Sequence, residues 1–305
     1  MADDDDARAN GGRGVADGRT IALVVVASLA FATSGPLGKV AAPIAAIAVA
    51  ALRTGLAAIV LALVDVNGLR ASLRKLTRRQ RAGVVVAGVL LGAHFAFFLA
   101  GLASTSLAAA VALVSLEPLA VVLAAFLAFR LRPTRLELIG LVVATLGAIV
   151  VASGAGAGEH RIAGDLLVLV AVVLFGAYVA SARGLRDAMP ATPYAAAVYG
   201  TSSIVLLPFA LPLLVRAGVP DAKPALAVLG LALVPTLVGH TIVQRAARTA
   251  PPALVALVCP GETLGAIAIG AIVMGAAPSP REALGAAIVL AGATLAIAGQ
   301  RPPPR

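Results

Sequence analysis

The chain has 305 residues, of which 60% are hydrophobic and 12% charged, with a formal net charge of +10 and a mean hydropathy of +1.01. That balance excludes a water-soluble globular domain and identifies an integral membrane protein. The single cysteine, Cys259, excludes an internal disulfide and reads as a small packing residue.

Residues 1–19 hold Asp3 to Asp6 and several glycines without apolar periodicity, which predicts a disordered cytoplasmic tail. Apolar runs of helical length follow near 20–39, 43–64, 82–103, 107–129, 135–153, 163–183, 193–216, 224–247, 252–275 and 281–299. They are too long, and too uniformly apolar, for barrel strands. The first is too long and too well flanked to be a cleaved signal peptide, so it stays as the first span. The expected fold is therefore an all-α membrane protein of ten transmembrane helices, closed by a short cytoplasmic tail at 300–305.

Basic residues set the expected orientation. With the N-terminus inside, the inner segments hold Arg8, Arg13, Arg19, Arg70, Arg74, Lys75, Arg78, Arg79, Arg81, Arg130, Arg132, Arg135, Arg183, Arg186, Arg245, Arg248, Arg301 and Arg305. The outer segments hold only Lys39, Arg161, Arg216, Lys223 and Arg281. This asymmetry predicts a multi-pass protein of the cytoplasmic membrane with both termini cytoplasmic. Attraction to the anionic inner leaflet explains the positive charge, so nucleic acid needs no place among the partners.

The chain also repeats itself. Glu117, Pro133, Glu137, Gly140, Gly147 and Gly154 recur at a shift of 145 (262 − 117) as Glu262, Pro278, Glu282, Gly285, Gly292 and Gly299, and His94 recurs one position further on as His240. Two five-helix halves follow, 20–153 and 163–299. An odd number of helices per half makes the second half enter the membrane from the opposite side, an inverted-topology repeat with its substrate site near the midplane between halves. The glycines recur every seven residues in the fifth and tenth runs, as close helix packing requires.

Polar residues inside these runs are the candidate site. His94 with Glu117, and His240 with Glu262, flank short connections at Thr105–Ser106 and Pro251. About 11 residues at roughly 1.5 Å each place them about 17 Å deep, near the middle of a roughly 30 Å hydrocarbon layer. Ionisable groups there mark a solute or ion pathway, or else a hydrogen bond that fixes helix packing. A His level with a Glu could share a proton with it. Metal binding by the four is a weaker reading, because no close-spaced ligand motif accompanies them. Arg53 is the only Arg or Lys inside a predicted span rather than near its ends, read as a structural ion pair or as a contact for a substrate carboxylate. Tyr199 is its repeat counterpart, and Tyr178 and Gln244 are further pathway candidates. Pro118 and Pro260 each remove a helical hydrogen bond, leaving the carbonyls of Val114 and Ala256 free and predicting kinks.

These residues resemble a known family. His94-Phe95, Thr105-Ser106 and Leu113-Val114-Ser115-Leu116-Glu117-Pro118 look like the third-to-fourth-helix signature of EamA-type members of the drug/metabolite transporter superfamily. Gly239-His240-Thr241 with Gln244, then Gly261-Glu262, resembles the eighth-to-ninth-helix signature, and Gly164-Asp165 through Tyr178 to Arg183 resembles the sixth helix. Arg53 matches a family arginine position. The chain departs from the family pattern at Phe129-Arg130 and Met274-Gly275, where Gly-Glu is common, at Thr263 in place of Pro, and at Gln244 in place of Asn. The resemblance implies a ten-helix exporter or exchanger of small metabolites, amino acids or drug-like solutes.

The resulting expectation is a secondary transporter working by alternating access, with a small-molecule solute and the lipid bilayer as partners and protons as candidate coupling ions. It needs no cofactor, no resident metal and no catalytic residue. An uncoupled facilitator or exchanger is the alternative. An intramembrane enzyme is a third reading, which the lack of a dense Ser/His/Asp or HExxH constellation disfavours. Oligomeric state is open at this level.

Overall fold

The computed structural model describes residues 18–105, 110, 113–153, 162–274 and 279–299, and every regular element among them is helical. In chain order these are α1 (Gly18–Ala32), α2 (Ser34–Ala41), α3 (Ala46–Val64), α4 (Val66–Lys75), α5 (Arg78–Ser104), α6 (Glu117–Phe129), α7 (Arg135–Ala152), α8 (Ile162–Gly184), α9 (Ala191–Ala217), α10 (Ala222–Leu231), the π-helical α11 (Ala232–His240), α12 (Thr241–Ala247), α13 (Pro252–Ala256), α14 (Val258–Met274) and α15 (Pro280–Ala298). Among the described residues, six helical stretches are long and apolar enough to cross a membrane: Gly18–Ala41, Ala46–Val64, Arg78–Ser104, Ile162–Gly184, Ala191–Ala217 and Ala222–Ala247. Glu117–Phe129, Pro252–Gly265 and Ala283–Ala298 are shorter apolar helices. The tails expected at 1–19 and 300–305 lie outside the described residues apart from Gly18 and Arg19, as does Gly154.

Helix starts follow local chemistry. Thr77 and Gln80 form a reciprocal capping box at α5, and Thr134 and Glu137 form another at α7. The repeat marker Glu137 is thus a capping residue. The helix α6 ends at Arg130, whose φ of 56° is left-handed. Pro133 then prevents resumption of the helix before the Thr134 cap.

The two halves pack in a matching pattern. The helix α8 lies against α5 and α6. Correspondingly, α1 lies against α11, α12 and α14. The helices α3 and α9 pack on each other, as do α7 and α15. In that last pair, a Cβ on Gly140 would lie 2.3 Å from the Ala296 nitrogen, and one on Gly292 would lie 2.3 Å from the Ala144 nitrogen. A Cβ on Gly147 would meet the Val289 nitrogen at 2.7 Å, and one on Gly285 would meet Gly147 O at 2.9 Å. As one partner advances from 140 to 147 the other retreats from 292 to 285, so the helices run antiparallel. Hydrogen is the only substituent that fits these contacts, which lets the backbones touch.

The outer faces stay apolar, with Leu63, Val173, Ile204 and Val215 well exposed. The centre is different. It buries Arg53, His94, Glu117, Thr236, His240 and Gln244.

Candidate functional site

Two helix breaks place the acids. The stretch before α6 turns at Ser115–Leu116, so Glu117 is the first residue of α6 and Pro118 lies in its first turn. In the second half the chain turns at Leu257 between α13 and α14, with Pro260 in the first turn of α14 and Glu262 just beyond. A missing N–H costs nothing in a first turn, so each proline starts a helix where the sequence predicted a kink within one. Bent backbone within a membrane protein is tolerated where it meets protein or lines a cavity.

The helices α5, α6, α11 and α14 bring His94, Glu117, His240 and Glu262 to one cavity of about 30 Å³. That volume suits a single water. Its other walls include Phe31 and Ser34 from the first span, Phe95 and Phe98 from α5, and Phe175 from α8. Glu117 is 4% exposed, His94 5% and His240 4%, while Glu262 is half-buried. Ionised carboxylates are costly in such surroundings unless a partner or water meets them. One Glu117 oxygen accepts from the Cys259 thiol at 3.3 Å, so the cysteine bonds across the repeat boundary as well as packing.

The histidines are held differently. The His94 Nδ1 lies 2.9 Å from the Ala171 carbonyl of α8. A carbonyl only accepts, so Nδ1 carries the hydrogen and Nε2 is the nitrogen left for other partners. The His240 Nδ1 is buried without a partner. Its ring is enclosed by Phe31 at 4.6 Å, Phe95 at 4.8 Å, and Phe175 and Tyr178 at 5.9 Å between centroids. No ion pair joins either histidine to Glu117 or Glu262, so the direct His–Glu proton sharing allowed by the sequence is replaced by four groups around one space.

Arg53 corrects another expectation. It is 0% exposed. Its Nε donates to Thr236 Oγ1 at 2.8 Å, but Nη1 and Nη2 have no partner, and no carboxylate pairs with it. The structural ion pair is therefore absent, and the charge instead meets the Phe95 ring, over which the guanidinium carbon sits at 3.8 Å. Sequence reading missed how Arg53 is seated. Pro235 has no N–H for the Leu231 carbonyl, and the Thr236 hydroxyl donates to that carbonyl at 2.7 Å. The same oxygen then accepts from Arg53. Pro235 inside an otherwise helical run was the available signal, since π-helical turns often occur at functional sites. The Tyr199 hydroxyl reaches Thr236 O at 3.3 Å and Thr241 Oγ1 at 3.1 Å. The Tyr178 hydroxyl lies beside the Gln244 amide and the Tyr199 hydroxyl, and the three form one buried polar group.

Thr105 and Asp165, both in motifs singled out above, meet at 2.8 Å and tie the end of α5 to the start of α8. Lys39 donates to the Leu102 and Thr105 carbonyls at the same end. A larger apolar groove, about 430 Å³, lies between α3, α4, α5 and α9. It opens to the outer surface past Ile59 and Ile204, and Arg81 is its sole charged lining residue, so its chemistry is that of a lipid-facing crevice. Among the described residues, no three His, Cys, Asp or Glu side chains converge as a metal site.

The sequence profile described as the EamA-like transporter family matches residues 18–153 and again residues 162–298. Among curated proteins, none matches the chain. A solved crystal structure is 20% identical and aligns over 94% of this chain and 99% of its own with a TM-score of 0.76. That likeness establishes a shared fold.

Proposed function

The chain belongs to the EamA-like transporter family, and from that premise we propose that it is a secondary transporter carrying a small organic solute by alternating access. Ten spans in two inverted halves rock about the central cavity, with both termini cytoplasmic and export across the cytoplasmic membrane the working direction. One observation carries the reading: the His and Glu residues duplicated between the halves line a single central cavity. A purely structural duplication would be served equally well by two separate hydrogen bonds.

In this mechanism Glu117 and Glu262 bind solute or exchange protons, each from a helix that begins beside a break in the backbone. The same breaks and the π-helical turn beneath Arg53 absorb changes of backbone angle as the cavity opens to either side. The antiparallel α7–α15 pair, in backbone contact along its glycines, moves as one strut. The cavity holds about one water, which suits a closed state from which opening must admit solute.

Vesicles reconstituted with the full chain and loaded with a metabolite panel test this. Saturable solute exchange is expected. Vesicles with no exchange above protein-free controls for any solute would remove the transporter reading. Conversion of a solute into a new compound would support the enzyme alternative. The missing His–Glu contact favours a second reading, an uncoupled facilitator, and imposed pH gradients separate the two.

A further inference from the structure

We infer that the solute carries a single carboxylate on a small apolar or aromatic body, and that Arg53 behind Phe95 is the anchor for that carboxylate. This rests on the transport reading and narrows it to a chemical class.

A guanidinium 0% exposed, with both terminal nitrogens lacking a hydrogen-bond partner, is an expensive element of a fold. The face of Phe95 and the Thr236 hydroxyl compensate part of the charge and fix its position. Because Nε is committed to Thr236, the end bearing Nη1 and Nη2 is what remains for an incoming group. Two parallel N–H donors match the two oxygens of a carboxylate. One guanidinium balances one negative charge. A phosphate dianion would bring a second, towards the cavity that Glu117 and Glu262 already line. Tyr178 and Gln244 add buried polar groups in the same central layer, where they can turn from each other to the remaining polar parts of a solute. The apolar body is matched by Phe31, Phe98 and Phe175 on the cavity wall. Phe95 lines the cavity and also covers Arg53, so rotation of that ring is the motion that admits the carboxylate.

Calorimetric titration of the detergent-purified full chain tests the inference without interference from weak acids leaking through lipid. The probes are benzoate and phenylacetate, their neutral amides, and benzylamine. The carboxylates are expected to bind at least about tenfold more tightly than the amides, as a charge-assisted pair should, with benzylamine weakest. Arg53→Gln should erase the gap between acid and amide. Phe95→Ala should narrow the gap without erasing it, because Thr236 still holds the guanidinium. Equal affinity for acids and amides, preference for the amine, or binding of none of them would overturn the inference. The wild-type series decides the matter even if Arg53→Gln does not fold. Exchange of neutral or cationic solutes by vesicles would leave the transporter reading intact while this one fails. Tight carboxylate binding with no exchange of any solute would do the reverse.

Discussion

His94 and His240, one from each repeat, meet at the centre of the protein with ring centroids 6.1 Å apart and planes inclined at 62°. Their bonding is unequal, since His94 donates to the Ala171 carbonyl and His240 leaves its Nδ1 unpartnered. His94→Phe should therefore lower thermal stability in detergent by about 1 kcal/mol relative to His94→Asn, whose amide can keep the bond. His240→Phe removes a buried orphan nitrogen and should leave stability unchanged or raised, while solute exchange falls. If both Phe variants lose equal stability, or if His240→Phe exchanges solute like the wild type, the assigned difference between the histidines is wrong.

The α7–α15 contact makes a separate prediction about stability. Gly140→Ala or Gly292→Ala places a methyl group 2.3 Å from a backbone nitrogen, a contact that only separation of the helices can relieve. A loss of about 1–3 kcal/mol is expected, typical of overpacking. Gly200→Ala, whose nearest neighbour would be 3.8 Å away, should be neutral or stabilising through helix propensity. Thermal unfolding of the three variants checks the ranking, and equal midpoints would refute the close-contact account.

Orientation is tested by labelling single introduced cysteines in a background in which Cys259 is replaced. The positive-inside asymmetry predicts that a cysteine at Arg74 reacts from the cytoplasmic side and one at Val219, which is 97% exposed, from the opposite side. Labelling of both from one face would break the proposed topology.

Membrane class, repeat and family were legible in the sequence because they depend on composition and on long ordered motifs. That His94, Glu117, His240 and Glu262 share a level could be counted from the connecting turns, since a helix advances by a fixed rise, and the four line one cavity. Which way each side chain points could not. In spans apolar all round, hydrophobic periodicity does not fix rotation about the helix axis. Sequence thus leaves Arg53 open to an acid partner or a substrate carboxylate, whereas in the structure it faces Phe95 and Thr236. The phenylalanine walls were hidden for the same reason. Pro235 differs, because its missing N–H was visible in the sequence and its consequence, the Thr236 seat for Arg53, was missed.

Proton coupling is the most demanding prediction. If Glu117 or Glu262 gains a proton on one side and loses it on the other, a pH gradient should drive solute uphill without any initial solute gradient. At roughly 1.4 kcal/mol per pH unit and proton, one unit sustains about a tenfold ratio of a neutral solute exchanged with one proton when the voltage is clamped at zero. A carboxylate solute adds its own charge to the cycle, so its ratio must be measured at several clamped voltages before protons are counted. Glu117→Gln and Glu262→Gln keep shape and most hydrogen bonding but remove ionisation. At least one should abolish pH-driven accumulation while leaving solute exchange measurable. The Cys259 thiol donates to Glu117, so Cys259→Ala should alter the pH dependence of accumulation through that glutamate. Wild-type accumulation in both single Gln variants and in the double variant would mean that these acids do not carry the coupling proton, and the facilitator reading would then stand.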